Sequence, residues 1–145
     1  LSSVLGMARA ASHLEKVKET LIHIQRDLFA LMAELAATPQ TIARFRYLGE
    51  TQILWLESCI TMLEADVEVP SYFILPGDSP AAAALDLART VARRAERRAV
   101  TLARSSENDM ILVLKYLNRL SSLCYILELY EIKQSGLKAS PAHGE

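Results

Sequence analysis

The chain has few of the residues that build turns, disulfide frameworks or metal sites. Only five glycines and five prolines occur among its 145 residues, a globular composition that is poor in turn formers. Its two cysteines, Cys59 and Cys124, lie in apolar periodic stretches, so we interpret them as buried free thiols of a reducing compartment. Only three histidines occur and no E-x-x-H pair is present, so no metal site made of protein side chains is predicted.

The sequence also lacks the local motifs of common enzyme classes. It contains no G-x-S-x-G nucleophile turn, no Walker loop and no G-x-G-x-x-G fingerprint. No apolar stretch is long enough to span a membrane, and no charged-then-apolar leader is visible. The net charge of −1 does not favour nucleic acid or an anionic membrane surface as a partner. We therefore expect a cytoplasmic protein that binds neither.

Apolar residues recur at helical spacing along most of the chain. A first helix is predicted over residues 2–12. The second has an apolar seam that alternates steps of four and three, as in a helix packed in a bundle; its members are Val17, Leu21, Ile24, Leu28, Leu31 and Leu35. A third is predicted over residues 38–66, with Thr38 as N-cap, Pro39 as its first residue and Gly49 as a candidate interruption.

Two more helices follow a loop predicted over residues 68–77. Ser79 and Pro80 predict the start of an arginine-rich helix, and the polar residues 105–109 end it. The last helix, over residues 110–133, is apolar on two faces, so it is either central or covered by another subunit. We predict an all-α, up-and-down bundle of about five helices, of the ferritin-like four-helix-bundle type and oligomeric. Residues 1–134 form one domain, and residues 135–145 form a polar tail.

The arginine-rich helix is the one unusual feature of the chain. Arg89, Arg93 and Arg97 follow each other at steps of four, so they project from one side, and Arg94 begins a neighbouring row. Guanidinium groups bind phosphate oxygens in a planar, bidentate way. The spacing therefore favours a polyphosphate ligand.

Two other interpretations of these arginines remain open. In the first, Arg94, Arg98 and Arg104 are solvated and pair with acids of other helices, such as Asp27 or Glu34. In the second, the segment is a DNA-reading helix. The segment has no asparagine or glutamine for base edges and the protein is not basic, so DNA fits less well.

Four stretches of the sequence resemble one enzyme family in the same order. FILPGDSPAAAALDLARTVARRAERR resembles the signature of the PduO-type ATP:cob(I)alamin adenosyltransferases, close to F-x-L-P-G-G-S…A-x-L-H-x-A-R-x-x-x-R-R-A-E-R. LSSVLGMARA, HIQRDLFALMAELA and KYLNRLSSLCYIL resemble further segments of that family. The resemblance implies a five-helix bundle that forms a homotrimer with active sites between subunits.

The resemblance also implies a reaction. The family transfers the 5′-deoxyadenosyl group of ATP, bound with Mg²⁺, to the cobalt of cob(I)alamin and releases triphosphate. Cob(I)alamin, made by reducing cob(II)alamin, is a strong nucleophile, so no catalytic base is needed. A reductase and an enzyme that uses adenosylcobalamin are the further partners that the family implies.

The family pattern assigns roles to individual residues of this sequence. Arg89 and Arg93 match its ATP-contacting arginines, and we expect both, together with Phe73, to be catalytic. The remaining residues assigned to ATP binding are Arg94, Glu96, Arg97 and Asn118.

On the corrin side, Phe73 matches the aromatic residue placed under the ring, where it excludes the lower axial ligand and eases reduction of four-coordinate Co(II). The alternative for Phe73 is a loop anchor in the core. Asp86 and Ser122 are the other corrin-side candidates.

The sequence departs from the family pattern at three positions and in one segment. Asp78 replaces the second glycine of P-G-G, Asp86 replaces a histidine, and Ser122 replaces an aspartate. The spacing of Asp86 and Arg89 predicts an ion pair between them. The family's T-R-x-G-D-x-G phosphate loop is absent from the sequence, and we expect it upstream of Leu1. Two alternatives therefore stay open: a degenerate member that binds nucleotide or corrinoid without turnover, and a helical interaction module.

Overall fold

The computed structural model describes residues 1–38, 40–105 and 110–143. Within these ranges the protein is all-α, as predicted, and five helices of ten or more residues are accompanied by one short helix. In chain order the helices are α1 (Ser2–Ala11), α2 (Glu15–Ala36), α3 (Ile42–Phe45), α4 (Glu50–Glu64), α5 (Pro80–Ser105) and α6 (Ile111–Gln134). No helix in the described part of the chain is long and apolar enough to cross a membrane.

The helical stretch predicted over residues 38–66 is divided near its candidate interruption, and the prediction of Thr38 as N-cap is wrong, because Thr41 is the N-cap of α3. Two helices, α3 and α4, occupy this stretch, and the backbone between them is extended. Gly49 is the N-cap of α4, with φ −136° and ψ −179°, and its N–H donates to Gln52 Oε1 at 2.9 Å. Because Gln52 supplies a capping contact that restarts the helix, the predicted interruption at Gly49 is confirmed. Pro39 lies outside the described residues.

The start of α5 agrees with its sequence signals. Pro80 is its first residue, and the Oγ atom of Ser79 accepts a hydrogen bond of 3.1 Å from the Ala82 N–H. The preceding turn contains Gly77 with φ +134°, a backbone conformation that residues with a Cβ atom rarely adopt. The predicted break over residues 105–109 lies outside the described residues except for Ser105, where α5 ends.

The core is built around α6, which packs along α5 and α4. Both of its apolar faces are buried within the one chain, as Tyr116, Leu123 and Leu127 show. Of the two explanations for its pattern, a central position is therefore confirmed. The seam of α2 is buried from Val17 to Leu31, whereas Leu35 is 44% exposed.

The chain after α6 returns to the loop before α5. Ile74 and Pro141 form an antiparallel bridge. The segment that the sequence assigns to a polar tail therefore contacts the loop that carries Phe73. Elsewhere the two cysteines, Cys59 and Cys124, are buried and free, as predicted.

Candidate functional site

A continuous series of polar contacts joins α5 to α6. Arg93 donates from Nη1 to Glu96 Oε2, one turn later in α5, which confirms the pairing that their spacing suggests. Glu96 Oε1 accepts a hydrogen bond of 3.0 Å from Asn118 Nδ2 in α6. Asn118 Oδ1 accepts one of 2.7 Å from Arg119 Nη2. Glu96 thus orients both Arg93 and Asn118, two residues to which the sequence assigns ATP binding.

Arg89 lies one turn before Arg93 and is held by a carboxylate of its own helix. Its Nε and Nη2 atoms donate to Asp86 Oδ1 at 2.9 and 2.6 Å. The predicted ion pair of Asp86 with Arg89 is therefore confirmed. Its third guanidinium nitrogen, Nη1, has no hydrogen-bond partner among the described residues, so it is available to a ligand.

Four of these residues, Arg89, Arg93, Asn118 and Arg119, line an open groove of about 510 Å³, which we call the arginine groove. Arg89, Arg93 and Arg119 line it together with the acid Glu64, so cations exceed anions among the lining residues, while Asp86 and Glu96 pair with two of the arginines from outside the lining. Asn118 and the hydroxyl-bearing Ser121, Ser122 and Tyr125 form its α6 wall, where the Ser121 and Ser122 hydroxyls donate to the Asn118 carbonyl oxygen. Such a surface suits an anion with several oxygens.

A second groove, of about 450 Å³, begins where the first one ends. It is lined by Tyr72, Phe73 and Tyr125 together with Asp86 and Arg89, and we call it the aromatic groove. Arg89 and Tyr125 line both grooves and so form their shared wall. The Phe73 side chain is 83% exposed, which makes the loop-anchor interpretation wrong because a core anchor would be buried.

The structure separates two of the predicted ATP residues from the others. Arg94 and Arg97 line a different surface cleft, with Arg98 and Thr101. The suggested pairing of the arginines with acids of other helices is not observed among the described residues. Asp27 instead accepts hydrogen bonds from two tyrosine hydroxyls, and Glu34 accepts two from backbone N–H groups. Ser122 lies in the arginine groove, not in the aromatic groove.

Sequence reasoning missed Arg119, Tyr125 and the buried Glu128. Tyr125 could have been found, because Asn118, Ser122 and Tyr125 follow at steps of four and three and so share one face of α6. Glu128 is only 1% exposed, and neither of its carboxylate oxygens has a hydrogen-bond partner in the part of the chain that the structure describes. Burial, reinforced by Asp86 and Asp78 and opposed by Arg89, raises the pKa of Glu128 to about 7.

No group of three or more His, Cys, Asp and Glu side chains in the described ranges is placed to hold a metal ion. The arginine groove presents cationic side chains and a tyrosine hydroxyl, and the aromatic groove presents aromatic rings. One groove can bind an anionic group while the other presents an apolar surface to an adjacent planar group.

Comparison with known proteins connects these grooves to a family. A family model described as cobalamin adenosyltransferase matches residues 1–131. The corrinoid adenosyltransferase PduO of Salmonella typhimurium is 41% identical over 128 residues, which cover 88% of this chain and 38% of the relative. The chain thus spans well under half of that relative's length. A corrinoid adenosyltransferase of Bacillus subtilis is 36% identical over 141 residues, covering 94% of this chain and 72% of the relative.

Solved structures show the same fold. A PduO-type ATP:corrinoid adenosyltransferase of Lactobacillus reuteri, a phenylalanine-to-alanine variant complexed with cobalamin and ATP, matches with a TM-score of 0.87 and 31% identity over 99% of this chain and 80% of that chain. An arginine-to-lysine variant complexed with ATP matches with a TM-score of 0.87 and 30% identity over 98% of this chain and 81% of that chain. On the match of the family model and of these relatives, the chain belongs to the cobalamin adenosyltransferase family.

Proposed function

We propose that the protein transfers the 5′-deoxyadenosyl group of ATP to the cobalt of reduced cobalamin. Cobalt(I) attacks C5′ with its electron pair and forms the Co–C bond. The C5′–O bond breaks, and its electron pair leaves with triphosphate. The observation that carries the proposal is that the arginine groove and the aromatic groove share Arg89 and Tyr125 as a wall. The placement supports a polyphosphate in one groove and a corrin in the other, with their reacting atoms adjacent.

In the arginine groove, the chain stabilises the leaving group with cations. Arg89 and Arg93 would bind triphosphate oxygens, and Glu96 and Asn118 would hold Arg93 in position. ATP would enter as its Mg²⁺ complex, as the resemblance to the family implies. Arg94 and Arg97 would act on nucleotide only if a second subunit or the expected upstream phosphate loop brings it to their cleft.

In the aromatic groove, the exposed ring of Phe73 would cover the lower face of the corrin and exclude an axial ligand. Asp86 borders this groove and, through its ion pair, fixes the Arg89 side chain at the boundary. Ser122 would serve the nucleotide side. A homotrimer with sites between subunits, a cytoplasmic location, a cobalamin reductase and an adenosylcobalamin-dependent client enzyme complete the proposal.

One observation favours a second candidate, namely binding without turnover. Asp86 partly neutralises Arg89, one of the two arginines assigned to the leaving group. A chain of this kind would bind ATP and corrinoid but stabilise the triphosphate too weakly for transfer.

An anaerobic transfer assay tests the proposal and separates these two functions. Cob(II)alamin is reduced chemically, Mg²⁺ and ATP are added, and the loss of cob(I)alamin absorption is followed together with formation of the light-sensitive Co–C product. We expect product with the wild-type chain. ATP binding by calorimetry without any product would favour the second candidate, and the absence of both would contradict the proposed function.

A pair of arginine variants tests the assignment of the groove. Arg93→Ala should lower kcat about 30- to 900-fold, which corresponds to about 2–4 kcal/mol of lost transition-state stabilisation. Arg98→Ala is the matched control, since Arg98 is exposed on the same helix but lies in the other cleft. Equal loss in both variants, or near wild-type activity of Arg93→Ala at saturating ATP, would contradict the role of Arg93.

A further inference from the structure

The loop that carries Phe73 is attached to the protein by the C-terminal segment. Among the described residues, the backbone hydrogen bonds of residues 70–78 run only to that segment. The Leu75 N–H donates to the Ser140 carbonyl oxygen at 2.8 Å, and the Ala142 N–H donates to the Phe73 carbonyl oxygen at 2.7 Å. Since this loop contains no helix, these contacts determine the path of its backbone.

Asp78 strengthens the same attachment with its side chain. Its Oδ2 atom accepts a hydrogen bond of 3.0 Å from the Ser140 N–H, and its Oδ1 atom accepts one of 2.6 Å from Ser140 Oγ. Both carboxylate oxygens are thus used by one residue that lies 62 positions later in the chain. Hydrogen bonds to an ionised acceptor are stronger than neutral ones, so the pair is the strongest link between the loop and the segment.

The contacts hold the backbone of Phe73 and leave its ring uncovered. The carbonyl oxygen of Phe73 is bound by Ala142, while its side chain is 83% exposed and lines the aromatic groove. A ring on an otherwise unsupported loop would sample many positions. The free-energy cost of ordering it on binding would weaken the affinity for a planar ligand. Fixing the backbone at Phe73 and at Leu75 removes part of this cost.

We propose that residues 140–142 form a clasp that positions Phe73 for the corrin, with Asp78 and Ser140 as its positioning residues. The inference rests on the proposed function, because it assigns the clasp to the corrin side of that site. Neither residue lines the aromatic groove, so they act through the loop and not by touching the substrate.

The test measures the four-coordinate Co(II) species formed from cob(II)alamin and ATP, by electron paramagnetic resonance. Asp78→Ala and Ser140→Ala should each lower its population about tenfold, in keeping with the loss of charge-assisted hydrogen bonds at a partly exposed position. The KM for ATP should change less than twofold. Lys138→Ala, an exposed change in the same segment, is the control and should behave as wild type.

The double variant provides a sharper criterion. If Asp78 and Ser140 act as one unit, the double variant should lose no more than Asp78→Ala, which by itself removes both hydrogen bonds. Asp78→Asn, which retains an acceptor oxygen, should recover part of the signal. If Asp78→Ala fails to fold, Ser140→Ala alone decides, since it removes only the 2.6 Å contact.

Amide hydrogen exchange tests the clasp without cobalamin. The amides of Leu75 and Ala142 should exchange faster in Ser140→Ala than in wild type, whereas amides inside α6 should not change. If Ser140→Ala transfers the adenosyl group as wild type does and forms the same four-coordinate population, the role of the clasp is contradicted and the proposed function is not. A wild-type chain that forms neither product nor four-coordinate cobalt would instead overturn the proposed function and with it the role of the clasp, even where the exchange rates change as expected.

Discussion

Replacement of Glu128 by glutamine should stabilise the protein at neutral pH but not at acidic pH. Glu128 is buried in α6, and its carboxylate oxygens have no hydrogen-bond partner among the described residues. Burial in a site that also contains Asp86 raises its pKa from the ordinary 4.5 to about 7. The substitution keeps the size of the side chain and removes its charge, so it isolates the electrostatic cost.

The sign follows from proton binding in the two states. A raised pKa means that the folded chain binds the proton of Glu128 more tightly than the unfolded chain does. Its contribution to the free energy of unfolding is therefore most favourable below about pH 4.5 and is lost as the pH rises to about 7. A rise of the pKa from 4.5 to about 7 corresponds to about 3 kcal/mol, which the glutamine variant should retain.

Urea unfolding followed by circular dichroism at pH 5 and pH 7.5 measures this difference. Wild type and Glu128→Gln are compared at one protein concentration, because assembly would make stability depend on concentration. Glu19→Gln, an exposed carboxylate of α2, is the matched control and should show no pH-dependent gain. The variant is compared with wild type by the difference between their free energies of unfolding. If that difference is the same at pH 5 and pH 7.5, Glu128 is not an unpaired buried carboxylate.

Three further predictions concern the corrin ligand, the assembly and the thiols. Phe73→Ala should leave the affinity for ATP unchanged but convert the four-coordinate Co(II) spectrum to a mostly five-coordinate one; equal spectra would mean that the ring does not exclude the lower ligand. Light scattering should give about three times the chain mass of 16.1 kDa, and a monomer at micromolar concentration would contradict both the trimer and sites between subunits. Cys59 and Cys124 should react with a thiol reagent only after unfolding. Burial raises the pKa of Cys59 and raises the pKa of Cys124 to about 12, so little reactive thiolate forms at neutral pH. Rapid reaction of the native protein would contradict their burial.

Features that depend on neighbouring residues along the chain were predictable from the sequence. Ser79 and Pro80 marked the start of α5, and the spacing of Asp86 and Arg89 marked their ion pair. Both rest on helical geometry, in which residues three or four apart are adjacent.

Features that depend on distant segments were not predictable. The contact of Asp78 with Ser140 joins two loops that no periodicity relates. The burial of Glu128 depends on how α5 packs against α6, because a glutamate is usually exposed. Arg93 and Arg97 line different grooves for the same reason. The packing of α5 against α6 decides which part of a helix face borders each groove.

The placement of Asp86, Arg89 and Arg93 on consecutive turns of α5 restricts how this site can evolve. A rise of 1.5 Å per residue separates the first from the last by about 10 Å along the helix axis, so the helix itself sets the spacing of the two grooves. Substitutions can change the chemistry of either groove and leave that spacing intact. Insertion of one residue between Asp86 and Arg93 would turn the later residues by about 100° around the axis and remove Arg93 from its groove. Changes of length should therefore be eliminated within these two turns.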